Sequence, residues 1–136
     1  MTKVRHVLPA KGRRREDYLK HIYAIQKSKG YARVKDLSRA LNVSSASVIE
    51  FARKLESDGL IRYDGGVIVL TEKGKAMAEK IYERFLCLKD FFQVILGLPE
   101  REAIENACYL EHGLTEKAIE RMCEMVNKYK EKKINY

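Results

Sequence analysis

The chain has 136 residues, of which 46% are hydrophobic; this suits one domain, or two small layers sharing a core, and is too apolar for a disordered chain. Twenty-seven lysines and arginines against 19 acids give a formal charge of +8 and a pI near 9.4, a balance that suits a polyanionic partner. No apolar run approaches the ~20 residues of a membrane span and no signal-peptide core follows the start, so the expectation is a cytoplasmic protein with no membrane partner.

The chain opens on a basic arm, residues 1–14. Residues 1–15 contain Lys3, Arg5, Lys11, Arg13, Arg14 and Arg15 and no acid. Such an arm is either a solvated, disordered tail or a phosphate-contacting one. In "REDYLKHIYAIQKSKG", Tyr18, Leu19, Ile22 and Ile25 recur at helical spacing and predict a first helix from about Arg15 to Lys29, ended by Gly30. "VKDLSRALN" predicts a short second helix, and "VSS" a turn with Ser44 or Ser45 as cap. "SASVIEFARKLESDG" predicts a third helix, with Val48, Phe51, Ala52 and Leu55 facing inward and Gly59 as its stop. The period then changes. "LIRY" and "VIVLT" flank Asp64-Gly65-Gly66, a strong hairpin signal. Three helices followed by a hairpin are the order of a winged helix-turn-helix, expected over residues 15–72.

Thr71 is placed to cap a long helix running to about Leu96. Met77, Ile81, Phe85, Leu88, Phe92 and Ile95 form its apolar stripe. Gly97 ends it, and Pro99 is suited to start a helix that carries "CYLEH" and ends at Gly113. Thr115 caps a last helix, "EKAIERMCEMVNKYK", whose end "KYKEKKINY" is expected to fray in solvent. The fold class is therefore mostly α, a winged helix-turn-helix followed by an all-helical domain over residues 73–136. The apolar stripe is longer than the first layer can cover, so a homodimer is expected. The three cysteines, Cys87, Cys108 and Cys123, are odd in number and widely spaced. A disulfide framework is not expected, and Cys87 and Cys123 are expected to pack within the helical layer.

In a helix-turn-helix the second helix of the pair meets the bases with its N-terminal residues. Here those are Ser44, Ser45, Ala46 and Ser47, with Glu50 one turn later. Serine hydroxyls can bond bases or phosphates, Ala46 can touch a thymine methyl, and Glu50 can accept from a cytosine amine. None is bidentate, which leaves a large share of specificity to DNA shape. Lys35, Arg39, Arg53, Lys54 and Arg62 are candidates for phosphate contacts that set register, or else solvated surface charges.

Cys108, Glu111 and His112 stand at i, i+3 and i+4, one face of a helix. A thiolate, a carboxylate and an imidazole together can hold a divalent first-row metal. Spacing alone favours the plainer reading, a buried cysteine beside a surface glutamate and histidine. Asp17 and His21, at i and i+4 on the first helix, are an oxygen and a nitrogen donor that could serve the same ion if the two helices meet.

The stretches "EDYLKHIY", "KGYARVKDLSRALNVSSASV", "KLESDGLI", "LTEKGK", "ILGL" and "ACYLEHGLTE" resemble the diphtheria toxin repressor and manganese transport regulator family of metal-dependent transcriptional repressors. The resemblance covers most of Glu16 to Met122 and is to the short, two-domain members. It implies a metal joining the first helix to the dimerisation helices, through Asp17, Cys108, Glu111 and His112. It also implies departures. Manganese-type members carry a Glu ligand where this chain has Lys20, and the family's ligand His on the long helix falls on Phe85. The iron-type Glu one turn on falls on Lys89, and a third ancillary His on Ile104. The resemblance thus implies one metal position rather than two, with His21 as a substitute nitrogen or as an exposed or structural histidine. Asp17 resembles the manganese type and Cys108 the iron type, so Fe(II) or Mn(II) leads, followed by Zn(II), Co(II) or Ni(II).

The expected function is a homodimeric, metal-responsive repressor that binds double-stranded operator DNA and takes no small-molecule substrate. The alternative is a winged-helix regulator of the same fold that binds DNA independently of metal, with Lys20 supplying the missing cation's charge. No H-E-x-x-H, P-loop or Gly-rich cofactor turn is present, and no enzymatic activity is expected.

Overall fold

A computed structural model describes residues 10–134, with side chains described for residues 13–132. It divides into two compact units, Ala10–Tyr82 and the chain from Glu83 onward. The expected winged helix-turn-helix and helical domain are both present. Residues 1–9 of the expected basic arm lie outside the described residues. From Ala10 the chain is helical, five residues earlier than apolar spacing alone places the helix.

The first unit begins with α1 (Ala10–Lys29), a short strand β1 (Ala32–Arg33), α2 (Val34–Leu41) and α3 (Ser45–Ser57). The hairpin strands β2 (Ile61–Asp64) and β3 (Val67–Leu70) follow. Apolar residues of α1 at helical spacing bury as expected: Tyr18, Leu19 and Ile22 join Leu37 of α2 and Val48, Phe51, Ala52 and Leu55 of α3 in one core. The rings of Tyr18 and Phe51 lie 4.5 Å apart and tie α1 to α3. Between α2 and α3 the chain turns at Asn42, whose positive φ of 54° is one an asparagine tolerates. Val43 N–H donates to the Ser38 carbonyl there, and Ser38 Oγ donates back to the Val43 carbonyl.

Gly65 and Gly66 take φ values of 57° and 79°, so the tight turn joining β2 to β3 needs two left-handed residues, as the primed hairpin turns do. The sheet has the order β1-β3-β2, all antiparallel, with Ala32 opposite Ile68 and Tyr63 opposite the same residue from the other side. β1 has only two residues, too few to leave a period in the sequence. Gln26 Oε1 accepts from Leu70 N–H at 2.9 Å and pins α1 to β3.

α2 starts with a carboxylate in its first turn: Asp36 accepts from Arg33 N–H at 2.9 Å and pairs with Lys29 at 2.7 Å. The Lys29 hydrogen bond first, and the Arg33 N–H second, hold the Asp36 carboxyl below its ordinary value near 3.8. A carboxyl depressed in the folded state adds stability above its unfolded pKa and loses it as pH falls through the folded one. Because the pair is partly exposed, the expected contribution is under about 1 kcal/mol. Thermal melts of wild type and Asp36→Asn should differ by that amount at neutral pH and converge as the pH falls through the depressed folded-state pKa of Asp36.

α4 (Glu72–Asp90) is capped as expected, with Thr71 Oγ1 accepting from Gly74 N–H at 3.1 Å while Thr71 N–H donates to the Leu60 carbonyl. The start of α4 therefore crosses close over the chain entering β2. Gly74 is the residue at the crossing, and a Cβ there would run into the Leu60 carbonyl oxygen, which is backbone and cannot rotate away. Gly74→Ala is expected to destabilise the first unit by about 1–3 kcal/mol, read from urea unfolding followed by far-UV circular dichroism.

The second unit holds the end of α4, a π-helical segment (Phe91–Ile95), α5 (Glu100–Leu110) and α6 (Glu116–Ile134). Its core is Leu88, Ala107 and Ile119, with Phe85, Leu114, Met122 and Cys123 packed against them. Pro99 caps α5 and Thr115 caps α6, through Thr115 Oγ1 accepting from Ala118 N–H. Cys87 and Cys123 are joined in a disulfide, Cα to Cα 5.3 Å, that staples α4 to α6. This corrects the expectation of unlinked thiols. Both cysteines do pack in the helical layer, but wide spacing along the chain says nothing about which helices lie side by side.

Candidate metal centre and nucleic-acid interface

In the second unit α5 ends at Leu110, three residues before the Gly113 expected as its end. Glu111 nevertheless keeps helical angles (φ −58°, ψ −28°) and donates its N–H to the Ala107 carbonyl at 3.0 Å. The helical offset from Cys108 to Glu111 therefore survives into the turn. Glu111 and His112 are both buried, with side-chain exposures of 0% and 1%, and His112 Nε2 lies 3.3 Å from Glu111 Oε1. Cys108 keeps its thiol and is half-buried.

Glu111 is thus not the surface glutamate of the ordinary amphipathic reading. A carboxylate and an imidazole withdrawn from water are costly unless each is paired or ligates a metal. Oxygen and nitrogen donors, with a soft sulfur one helical turn earlier in the chain, are of types that suit a divalent transition ion better than magnesium or calcium.

In the first unit, Asp17 and His21 are half-buried on α1, next to the core residues Tyr18 and Ile22. Lys20 is buried, with 6% exposure, so this lysine is not a solvated surface charge. Phe85, at the position where the resemblance has a histidine ligand, packs against the Leu88–Ala107–Ile119 core. That side chain is packing material and offers no donor atom.

The expected DNA-contacting residues lie on α2, α3 and β2. Lys35, Arg39, Ser44, Ser45, Ala46, Glu50, Arg53, Lys54 and Arg62 are exposed, and Ser47 is half-buried. Ser44 is the cap of α3: its Oγ accepts from Ser47 N–H at 3.1 Å and lies 3.0 Å from Ser47 Oγ. Ser45 and Ala46 are then the exposed side chains in the first turn of α3, followed by Glu50. Arg14, one of the cations of the basic run, lies over the ring of Phe51 on α3. The basic run flagged its charge, but nothing in the run indicated that it packs on α3.

Comparison with known proteins agrees with this layout. Residues 12–66 match the family model described as iron dependent repressor, N-terminal DNA binding domain, and residues 71–133 match iron dependent repressor, metal binding and dimerisation domain. An uncharacterized HTH-type transcriptional regulator of Methanocaldococcus jannaschii is 37% identical over 119 residues, 86% of this chain and 95% of that protein. The HTH-type transcriptional regulator MntR of Oceanobacillus iheyensis is 35% identical over 117 residues, 85% of this chain and 79% of that one. Among solved structures, T. acidophilum IdeR superposes with a TM-score of 0.76 at 33% identity over 82% of this chain and 53% of its own. A manganese-dependent transcriptional repressor in complex with manganese follows, with a TM-score of 0.75 at 30% identity over 83% of this chain and 52% of its own. The chain thus spans about half the length of those two solved proteins.

Proposed function

This chain belongs to the iron-dependent repressor family, and on that premise we propose that it is a homodimeric, metal-responsive repressor of double-stranded operator DNA. The observation that carries the metal half of the reading is the buried Glu111–His112 pair. Glu111 and His112 would supply an oxygen and a nitrogen ligand and Cys108 a thiolate, Asp17 on α1 would add a carboxylate oxygen, and His21 would be an auxiliary nitrogen donor. A bound divalent ion would supply the positive charge that these donors share, with Fe(II) or Mn(II) preferred and Zn(II), Co(II) or Ni(II) accepted.

The chain's own residues then provide the transmission. Asp17 immediately precedes Tyr18 on α1, and Tyr18 packs on Phe51 of α3 at 4.5 Å. Gln26 fastens the same helix to the wing. A ligand on α1 is therefore rigidly connected to the helix that meets DNA. Fixing Asp17 relative to Glu111 and His112 would fix the spacing of the two recognition helices in a dimer, to match half-sites one helical turn or a multiple apart. The shift in DNA affinity equals the metal's preference for that arrangement over others. On α3, Ser45, Ala46 and Glu50 face the bases, with Ser44 and Ser47 organising the first turn; Lys35, Arg39, Lys54 and Arg62 contact phosphates.

Residues 15–72 are the DNA-binding part and 73–136 the metal-binding and dimerisation part, acting in the cytoplasm without enzymatic turnover. No helix among the described residues is long and apolar enough to cross a membrane. The buried Lys20 favours one rival, in which its ammonium stands in for the ion and DNA binding is metal-independent. Selection of duplexes from a randomised pool, with Mn(II) and then with chelator, separates the two. The proposed function predicts enrichment only with metal; equal enrichment under both conditions supports the rival.

A further inference from the structure

Arg14 belongs to neither α2, α3 nor the wing, yet it lies against α3. It is exposed on α1, and its guanidinium carbon is 4.4 Å from the centroid of the Phe51 ring and 5.9 Å from that of Tyr18. Lys54, one turn beyond Phe51 on α3, places its ammonium 5.9 Å from the same ring. Two cations from two helices thus share one aromatic platform. A ring face attracts both, arginine more than lysine because the guanidinium is weakly hydrated. Their mutual repulsion favours an anion beside them.

An arginine on a ring face keeps its in-plane N–H donors available, and those are the donors that bind phosphate bidentately. Phe51 lies six residues beyond Ser45, roughly 9 Å along the helix axis. That distance is comparable with the ~12 Å width of the major groove, so bases at Ser45 would put the platform near the groove's phosphate edge.

We infer that Arg14, together with Lys54, binds DNA-backbone phosphates beside the bases met by α3, and that Phe51 is the positioning residue for both cations. The inference rests on α3 being the recognition helix. It extends the interface to α1, the helix that also carries Asp17, so the same element would contact both the metal and the DNA backbone.

The test is fluorescence-anisotropy binding across a salt series with Mn(II) present. The proteins are wild type, Arg14→Gln, Arg14→Lys, Phe51→Leu and the Arg14→Gln/Phe51→Leu double variant. The probes are a duplex selected from a randomised pool and a scrambled duplex. Arg14→Gln is expected to lower the slope of log K against log salt by about 0.9 per protomer, roughly 1.8 for a dimer. The loss should be the same fold on both duplexes, since phosphate contacts carry no sequence information. Arg14→Lys should keep most of the slope. In the Phe51→Leu background, Arg14→Gln should have a smaller effect than in wild type, as expected for coupled residues. An unchanged slope in Arg14→Gln, or a loss confined to the selected duplex, overturns the inference. If wild type itself fails to distinguish the duplexes, base reading by α3 is what fails, and the slope comparison still reads Arg14.

Discussion

Glu111→Gln with His112→Gln is expected to lower metal affinity by two orders of magnitude or more while leaving the fold in place. Loss of an outer-shell partner alone costs roughly 10–100-fold in metal sites, so removing the two proposed ligands should exceed that range. Glutamine keeps the volume of glutamate and approximates that of histidine, so neither change opens a large cavity next to Ala107, which packs in the Leu88–Ala107–Ile119 core. Cys108→Ser makes a useful contrast. It replaces a soft donor with a harder one while the Glu111–His112 pair stays, so the ranking of ions should move from the iron type toward manganese. Calorimetric titration under anaerobic conditions, which keeps Cys108 reduced, measures both effects. Wild-type affinity in the double variant would mean that the buried pair is structural.

Removing the disulfide between Cys87 and Cys123 is expected to destabilise the helical unit by about 2–4 kcal/mol. The bridge spans 36 residues of sequence, and closing a loop of that length restricts the unfolded chain by about 4 kcal/mol in the chain-entropy model. It also holds α4 to α6 beside Leu88 and Ile119, where Met122 and Cys123 complete a small core. The core of the first unit contains no cysteine and should be indifferent. Urea unfolding of the Cys87→Ala/Cys123→Ala variant, or of the wild type under reductant, should therefore lose stability in the second unit while Tyr18, Leu37 and Val48 stay packed. Hydrogen exchange resolved by peptide distinguishes the two. Equal loss of protection in both units would contradict a staple confined to the helical one.

The legible and illegible parts of this chain differ by the range of the interactions that make them. The hairpin needed two left-handed residues and had Gly65-Gly66; α3 needed a cap and had Ser44; α4 and α6 had Thr71 and Thr115. Each signal lies within three or four residues of the structure it makes. β1 was missed because two residues carry no period. The early start of α1 was missed because Ala10 to Arg14 have no apolar stripe; Arg14 instead lies on Phe51. The disulfide was missed because it depends on α4 lying beside α6, a fact with a separation of 36 residues.

The candidate site divides in the same way. Cys108, Glu111 and His112 were legible as a local pattern, and the short α5 preserved that pattern because Glu111 remains helical beyond the helix end. Their burial was not legible. By composition Glu111 and His112 should be on the surface, and only the structure shows both withdrawn from solvent. Phe85 and Lys20 read, in sequence, as departures from a ligand set. In the structure they acquire separate characters, Phe85 as part of a core and Lys20 as a buried cation.

The central claim, that metal held by Glu111 and His112 controls DNA binding, is tested most directly by titrating a selected duplex with chelator-treated protein. The titration is run without metal and with Mn(II) or Fe(II), for wild type and for the Glu111→Gln/His112→Gln variant. The account predicts that metal strengthens wild-type binding at least about fivefold, the lower end of ordinary coupling between two sites, and does nothing for the variant. Equal binding in every condition, or an equal metal effect in both proteins, would contradict it.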